Sequence, residues 1–410
     1  MAKISAPTSR KEAEALDSDD PLGHARSAFA LPEGVIYLDG HSLGPATHAA
    51  LKRVKEAAET EWADGLIRSW NDAGWIDLPA TVGSRIAGLI GAAADEVMVC
   101  DSVSVNLFKL TVAALKLAET KTIIVEGSEF PTDQYVAESV AETCGAGLKR
   151  VGEDEGAAAL AQTSAVLIKS VVNYRTARIA DMTEHEEAAK KSGGVVIWDL
   201  CHAAGVIDLD LTATGAWLAT GCTYKFLNGG PGAPAYVFVR GDLAGKLASP
   251  IAGWMGHSQP FAFDSKYSPK TGTARFAAGT PGILSLAALD GALGAFDGVN
   301  MRMAARKAKR LGDLVVARVM ELGLEPISPV EGHLRGGHVS VRHEEAYAVV
   351  QALIADGVIA DFRAPDAMRF GVSPLFVRYV DVWDAMDKLA DVLKSGAWDR
   401  PEFKARAAVT

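Results

Sequence analysis

Cysteine is scarce in this 410-residue chain, and Cys100, Cys144, Cys201 and Cys222 form no C-x-x-C pair. Such scatter suggests neither a zinc site nor a disulfide framework, and it fits reduced thiols in the cytoplasm. No uninterrupted apolar run approaches the roughly 20 residues that span a bilayer, so no membrane anchor is expected. The first residues lack a signal-peptide apolar core, and Glu12, Glu14, Asp17, Asp19 and Asp20 spoil a mitochondrial presequence. Lysine and arginine nowhere cluster, and the formal net charge is −10, which argues against a nucleic-acid groove. An anionic small molecule is still allowed, because it needs only local donors. Internal repeats and low-complexity stretches are absent as well.

What is present reads as a soluble enzyme. Hydrophobic residues at 49% and charged residues at 22% are ordinary for a globular protein, and 40 glycines suit a chain with many tight loops. The length predicts a large domain plus a smaller one. Residues 1–35 read as a polar arm, 36–300 as the large domain and 301–410 as a small C-terminal α+β domain. Probable strands are Val35–Leu38, Thr122–Glu126, Ala165–Val172, Val195–Asp199, Trp217–Thr220 and Ala235–Arg240. They alternate with helices at 104–119, 132–142 and 183–192, which predicts a mostly parallel sheet covered on both faces. Pro45 is expected to start a helix running to about Glu61. A helix after Gly282 should turn Leu284, Leu286, Leu289 and Leu293 to the core, and a second should run from Met301 to Leu322. Short strands then follow at His338–Val341, Ile359–Phe362 and Met368–Val372, with helices at Glu345–Asp356 and Val382–Leu393.

Parallel sheets hold ligands at the carboxyl ends of their strands. Two candidates stand there: Asp199, in Trp198-Asp199-Leu200-Cys201-His202, and Lys225, in Tyr224-Lys225-Phe226-Leu227-Asn228-Gly229-Gly230-Pro231-Gly232. Taken alone, Asp199 is equally a strand-end cap, and the glycine-rich run equally a plain turn. In this order the pair meets the needs of pyridoxal 5′-phosphate. A lysine carries that cofactor as a Schiff base, and an aspartate keeps its pyridine nitrogen protonated. Asp101-Ser102-Val103-Ser104-Val105-Asn106 offers a helix start that would cap itself or bind a phosphate. Phe130-Pro131-Thr132-Asp133 offers a flat ring and a second carboxylate.

Together with Gly40-His41-Ser42-Leu43-Gly44, Gly253-Trp254, Gly279-Thr280-Pro281 and Arg369-Phe370-Gly371, these motifs resemble kynureninase, a fold-type-I pyridoxal-phosphate enzyme. The resemblance runs from about residue 35 to 395. It implies that Lys225 carries the cofactor, that Asp199 pairs with its ring nitrogen, and that Asp133 lies close by. It further implies that Val103, Ser104 and Tyr224 hold the phosphate and that Phe130 stacks on the ring within the Pro131–Thr132 motif. Ser170 and His202 would line the ring's other edges. Trp254 and Thr280 would complete the phosphate cup of a second subunit, which makes the chain a homodimer with shared sites. His41 and Ser42 would face the substrate, and Arg369 would grip its α-carboxylate through a bidentate guanidinium.

The implied reaction is hydrolysis of L-kynurenine to anthranilate and L-alanine, with Tyr224 as proton donor or relay and no metal. The chain departs from some family members in having His41 and Thr280 where they carry asparagine, and Ser104 where they carry threonine. Trp62 and Trp70 are read as core packing ahead of an aromatic pocket. A cysteine desulfurase or selenocysteine lyase is the nearest rival, but it needs a late loop cysteine and none follows Cys222. A catalytically silent cofactor-binding regulator is the more distant rival. The segment before the first strand is too short and too acidic for the DNA-binding module such a protein carries.

Overall fold

The structure is a computed structural model and describes residues 6–406. Of the expected arm and small domain, residues 1–5 and 407–410 lie outside the described residues. Strand β1 (Ile36–Tyr37) opens the chain's sheet structure. The main sheet is built from β2 (Val97–Val99), β3 (Thr122–Glu126), β4 (Gly147–Val151), β5 (Val166–Ser170), β6 (Val195–Asp199), β7 (Leu218–Gly221) and β8 (Tyr236–Val239). Their order is β2-β8-β7-β6-β5-β3-β4. The run from β4 to β7 is parallel, whereas β8 is antiparallel to both β7 and β2.

Alternate residues of the strands feed two cores. Ile123, Val125, Val166, Ile168, Val195 and Ile197 pack with Leu107, Leu110 and Val140 of the helices Val103–Ala114 and Pro131–Cys144. Ile124, Leu167, Val196 and Trp198 point the other way, toward Val82 and Ile86 of Leu78–Ile90 and Ala188 of Met182–Ser192. Apolar residues on both faces are what a sheet covered by helices on both sides requires.

The second sheet is antiparallel. Its strands are β9 (Glu325–Pro326), β10 (His338–Arg342), β12 (Asp361–Arg363) and β13 (Ala367–Gly371), in the order β12-β13-β10-β9. Strand β11 (Val358–Ile359) instead pairs in parallel with β1. The single strand expected over Ile359–Phe362 is thus two, divided at Ala360, and they serve different sheets. The N-terminal helix Arg10–Ser18 lies on Tyr379–Ser395. There Asp17 accepts the backbone N–H groups of Tyr379 and Val380 at 2.7 and 2.9 Å.

Other expectations need correction. Pro45 does not start the next helix: Thr47 caps it by accepting Ala50 N–H, the α-helix runs His48–Glu56, and a π-helical stretch continues to Asp64. Strand β4 escapes sequence reading because this edge strand, Gly-Leu-Lys-Arg-Val, has little apolar surface to bury. Leu286, Leu289 and Leu293 are buried as expected, whereas Leu284 is 37% exposed.

One packing detail is pH-sensitive. Trp198, wholly buried on β6, donates its indole N–H to Glu186 of the helix Met182–Ser192 at 2.7 Å. Burial pushes the Glu186 carboxyl up to about 7. The folded state therefore holds a proton that the unfolded chain releases as pH rises from about 4.5 to about 7, so this group's contribution to stability is lost across that window. Glu186→Gln keeps an acceptor for Trp198 and removes the charge. Unfolding by urea should find the variant more stable than the parent at about pH 8 by on the order of 2 kcal/mol, with no such gain at about pH 4. An equal difference at both values would refute the assignment.

Candidate active site

Asp199 ends β6 beside Ser170, which ends β5, and the two are register partners. One Asp199 oxygen accepts the Cys201 N–H at 2.7 Å. Asp133, on the first turn of Pro131–Cys144, is equally buried and lies against Asp199, with the Ser170 hydroxyl 3.5 Å from its Oδ2. Burial raises the Asp199 carboxyl, and burial followed by the charge of Asp199 raises Asp133 well above the usual carboxylate range. Behind them, Lys169 bridges Glu126 (2.6 Å) and Glu129 (2.9 Å), and Glu129 accepts Ser170 N–H at 3.1 Å. That network spends Lys169 on its own two carboxylates. Asp133 and Asp199 are left with the charge of Lys225.

Lys225 follows β7 on a turn tied by its own backbone. Gly229 N–H donates to Thr223 O at 2.8 Å and Asn228 N–H to Lys225 O at 2.9 Å, with Asn228 at φ +57°. Nζ of Lys225 lies 3.1 Å from Nε2 of His202. Burial first, and then the Lys225 charge, hold His202 well below its ordinary range, so its imidazole is neutral. Burial, then Cys222, lift the Tyr224 phenol above its usual range, so it keeps its proton. The bend Gly40–Gly44 reaches this turn through Gly44 N–H, which donates to Tyr224 O at 2.7 Å. A Cβ on Gly44 would stand 2.2 Å from Lys225 O, so only glycine permits the approach.

The other expected cofactor residues lie at helix starts and on loops. Ser102 caps Val103–Ala114 by accepting Val105 N–H, leaving Val103 and exposed Ser104 on a first turn whose N–H groups have no intrahelical acceptors. Phe130 is 40% exposed and meets Tyr174 edge-on at 5.2 Å. Pro131 takes the first helical position, with Thr132 beside it. Thr280 lines a cleft of about 230 Å³ together with Asp101, Gly232 and Ser285. Trp254 does not line it and packs edge-on against Phe261 at 5.5 Å. Trp62 is 59% exposed rather than packed in the core, and Trp70 meets Trp75 edge-on.

His41, Ser42 and Arg369 meet in a corner that the sequence reading only half located. Arg369 is buried, and its bidentate edge, Nε and Nη2, is held by Asp361. Nη1 donates to Tyr174 O at 2.6 Å, and Nη2 also reaches Ser42 Oγ at 3.2 Å. The expected fork for a ligand carboxylate therefore already holds a protein carboxylate, and Nη1 is the remaining edge. Arg363 adds a second guanidinium 3.0 Å from Asp361. Burial alone would raise Asp361, but His41 and Arg369 hold it well below the usual range. Asp39, His41 and Asp361 have donor atoms close enough for a metal ion, yet the two guanidinium groups already supply Asp361 with positive charge. His41 is fully buried, lowered to about 4 by burial, and stacked on His338 at 5.0 Å.

Sequence reasoning missed Asp361, Arg363 and His338. The available signal was hairpin register, which sets Asp361 opposite Arg369 and His338 opposite Gly371.

Comparisons with known proteins bear on the family and the fold. The kynureninase C-terminal domain family matches residues 304–389. A kynureninase of Burkholderia mallei (strain SAVP1) is 44% identical over 98% of this chain and 99% of its own length. One from Pseudomonas fluorescens is 44% identical over 98% of this chain and 100% of its own. Among solved structures, an apo cysteine desulfurase from Thermococcus onnurineus superposes with TM-score 0.77 at 15% identity, covering 91% of this chain and 98% of its own. The cystine C–S lyase C-DES, in complex with cysteine persulfide, gives 0.76 at 16% identity, covering 88% of this chain and 98% of its own. Those two likenesses speak for the fold alone, that of the fold-type-I enzymes. Full-length identity with curated relatives decides the rest: the chain belongs to the kynureninase family.

Proposed function

We propose that the protein binds pyridoxal 5′-phosphate and hydrolyses the Cβ–Cγ bond of L-kynurenine and 3-hydroxykynurenine, releasing anthranilate or 3-hydroxyanthranilate and L-alanine in tryptophan degradation. The observation that carries this reading is the Lys225–His202 pair beside two buried carboxylates, Asp133 and Asp199, that have only the charge of Lys225 between them. A protonated pyridine nitrogen fits that need, and Asp199, with Asp133 behind it, would hold it. Val103, Ser104 and Tyr224 would take the phosphate, Phe130 the ring face, and Ser170 and His202 the ring edges. When bound, the cofactor supplies an electron sink for charge developing at the substrate α-carbon.

The chain's own groups do the remaining work. Lys225, once free, moves the α-proton, and neutral His202 accepts an N–H from its amine and keeps it aimed. Tyr224, protonated at neutral pH, donates to the departing side chain. Arg369 receives the substrate carboxylate along its Nη1 edge, with Ser42 and His41 beside it. Trp254, Phe261, Phe263 and Ile251 are exposed apolar side chains on one stretch of chain, as an interface with a second copy would require. The homodimer, with Trp254 and Thr280 serving the neighbouring protomer, is part of the proposal, as are a cytoplasmic location and the division near residues 35 and 300. The desulfurase reading shares the fold but lacks a cysteine beyond Cys222.

Purified protein should develop the visible absorbance of bound cofactor and produce fluorescent anthranilate from kynurenine. Sulfide release from cysteine in place of anthranilate would overturn the reading in favour of the desulfurase. Asp199→Asn preserves shape and removes charge, so turnover should drop by at least about 100-fold while cofactor remains bound. Turnover near the parental value would show that Asp199 acts only through packing. Arg369→Lys retains charge but cannot span Asp361, Tyr174 O and a ligand together. Its KM for kynurenine should rise roughly 10- to 150-fold, the equivalent of about 1.5–3 kcal/mol, with a smaller change in kcat. Steady-state kinetics with parental KM would move the carboxylate site elsewhere.

A further inference from the structure

Lys109 is a wholly buried cation that the reaction does not use. It sits on the helix Val103–Ala114, and its ammonium has three N–H donors and three partners. They are Asp101 Oδ2 at 2.5 Å, the Phe276 carbonyl at 2.6 Å and Cys100 Sγ at 3.6 Å. Burial pushes the Cys100 thiol up to about 11, so it accepts as a neutral sulfur. These partners belong to two separated segments. Cys100 and Asp101 form the turn before the helix, and Phe276 precedes Thr280. Both segments line the cleft that contains Asp101 and Thr280.

We propose that Lys109 is a positioning residue for the cofactor's phosphate: its ammonium locks the turn ahead of Val103 and Ser104 to the segment that carries Thr280. This rests on the reading that the helix start holds the phosphate.

Backbone strain at the turn supports the lock. Asp101 adopts φ +51°, a left-handed conformation uncommon for a residue with a side chain. Ladder bonds hold the turn from below: Cys100 N–H donates to Ala235 O and Ala235 N–H to Asp101 O, each at 2.8 Å. Asn106 Nδ2 adds a bond to Cys100 O at 2.8 Å. Ala235 follows the glycine-rich run after Lys225 and leads into β8, so the turn is registered to the start of β8 on one side and to Phe276 on the other. Balancing the Asp101 charge does not explain the lysine, because the Asp101 side chain is 25% exposed and water reaches it. An apolar side chain would fill a buried site with less desolvation. What it would not do is bind the Phe276 carbonyl and the turn at once.

Lys109→Met keeps nearly the same length without the ammonium. Titration of apoprotein with pyridoxal phosphate, followed by tryptophan quenching, should give an apparent Kd at least about tenfold weaker than the parent's. KM for kynurenine at saturating cofactor should stay within about twofold, because the Arg369 corner is untouched. Lys109→Ala, titrated with ethylammonium chloride or with sodium chloride at equal ionic strength, covers the case in which the Met variant does not fold. Ethylammonium should recover cofactor affinity and sodium should not. A Met or Ala variant with parental Kd, or rescue no better than sodium gives, overturns the proposal. A parent protein that binds no pyridoxal phosphate instead removes the functional reading on which it rests.

Discussion

Two buried carboxylates side by side cannot both remain anionic without a positive charge to share, and Asp133 with Asp199 is the pair around which this site is arranged. Four carboxylates, Glu126, Glu129, Asp133 and Asp199, lie at this end of the sheet with two ammonium groups, Lys169 and Lys225. Lys169 is spent on Glu126 and Glu129. Water cannot make up the difference, because burial has removed it. A ring that carries a proton on nitrogen is the kind of ligand that settles the imbalance. The parallel strands explain why the pair exists at all: β5 and β6 end in register, and the helix after Phe130 returns Asp133 over them.

The opposite end of the site has the opposite polarity. Asp361 lies between Arg369 and Arg363, so the corner has more guanidinium than carboxylate unless Asp39 is counted. Burial and the Asp361 charge push Asp39 up to about 7, so near neutrality it supplies only part of a negative charge. Carboxylates with a lysine thus mark one end of the site and arginines the other. Spacing between the ends depends on contacts between the sheets. Gly44 brings the N-terminal bend onto Tyr224 and Lys225, and β1 pairs with β11 just ahead of Asp361.

Legibility in the sequence followed how local each signal was. Asp199 ends one apolar strand, Lys225 sits on the turn after another, and both carry their context within ten residues, so their positions were legible from order alone. Strands β3 and β6 were legible to the residue because both faces are buried and their apolar runs are continuous. Strand β4 was not, since an edge strand has no such run. Arg369 was found, but its partner was not. The Asp361–Arg369 pairing arises from hairpin register and the split at Ala360, and neither leaves a mark in a single segment. Lys109 was hidden for the same reason: one of its three partners is Phe276, far along the chain.

Fold likeness and functional likeness separate cleanly in this molecule. Desulfurases share the scaffold at 15–16% identity, so strand order and helix placement do not decide between cleaving carbon–sulfur and carbon–carbon bonds. Desulfurization needs a second nucleophile on a mobile segment, and all four cysteines here lie at or before Cys222. Three of them are buried, Cys100 beneath Lys109 and Cys201 against the backbone of Cys222. Cleavage beside a ketone instead needs proton donors that stay protonated and a base close to the lysine. Half-buried Tyr224 stays protonated and buried His202 neutral because burial dominates their environment, so the same desolvation that strains the carboxylates also sets the protonation states beside Lys225.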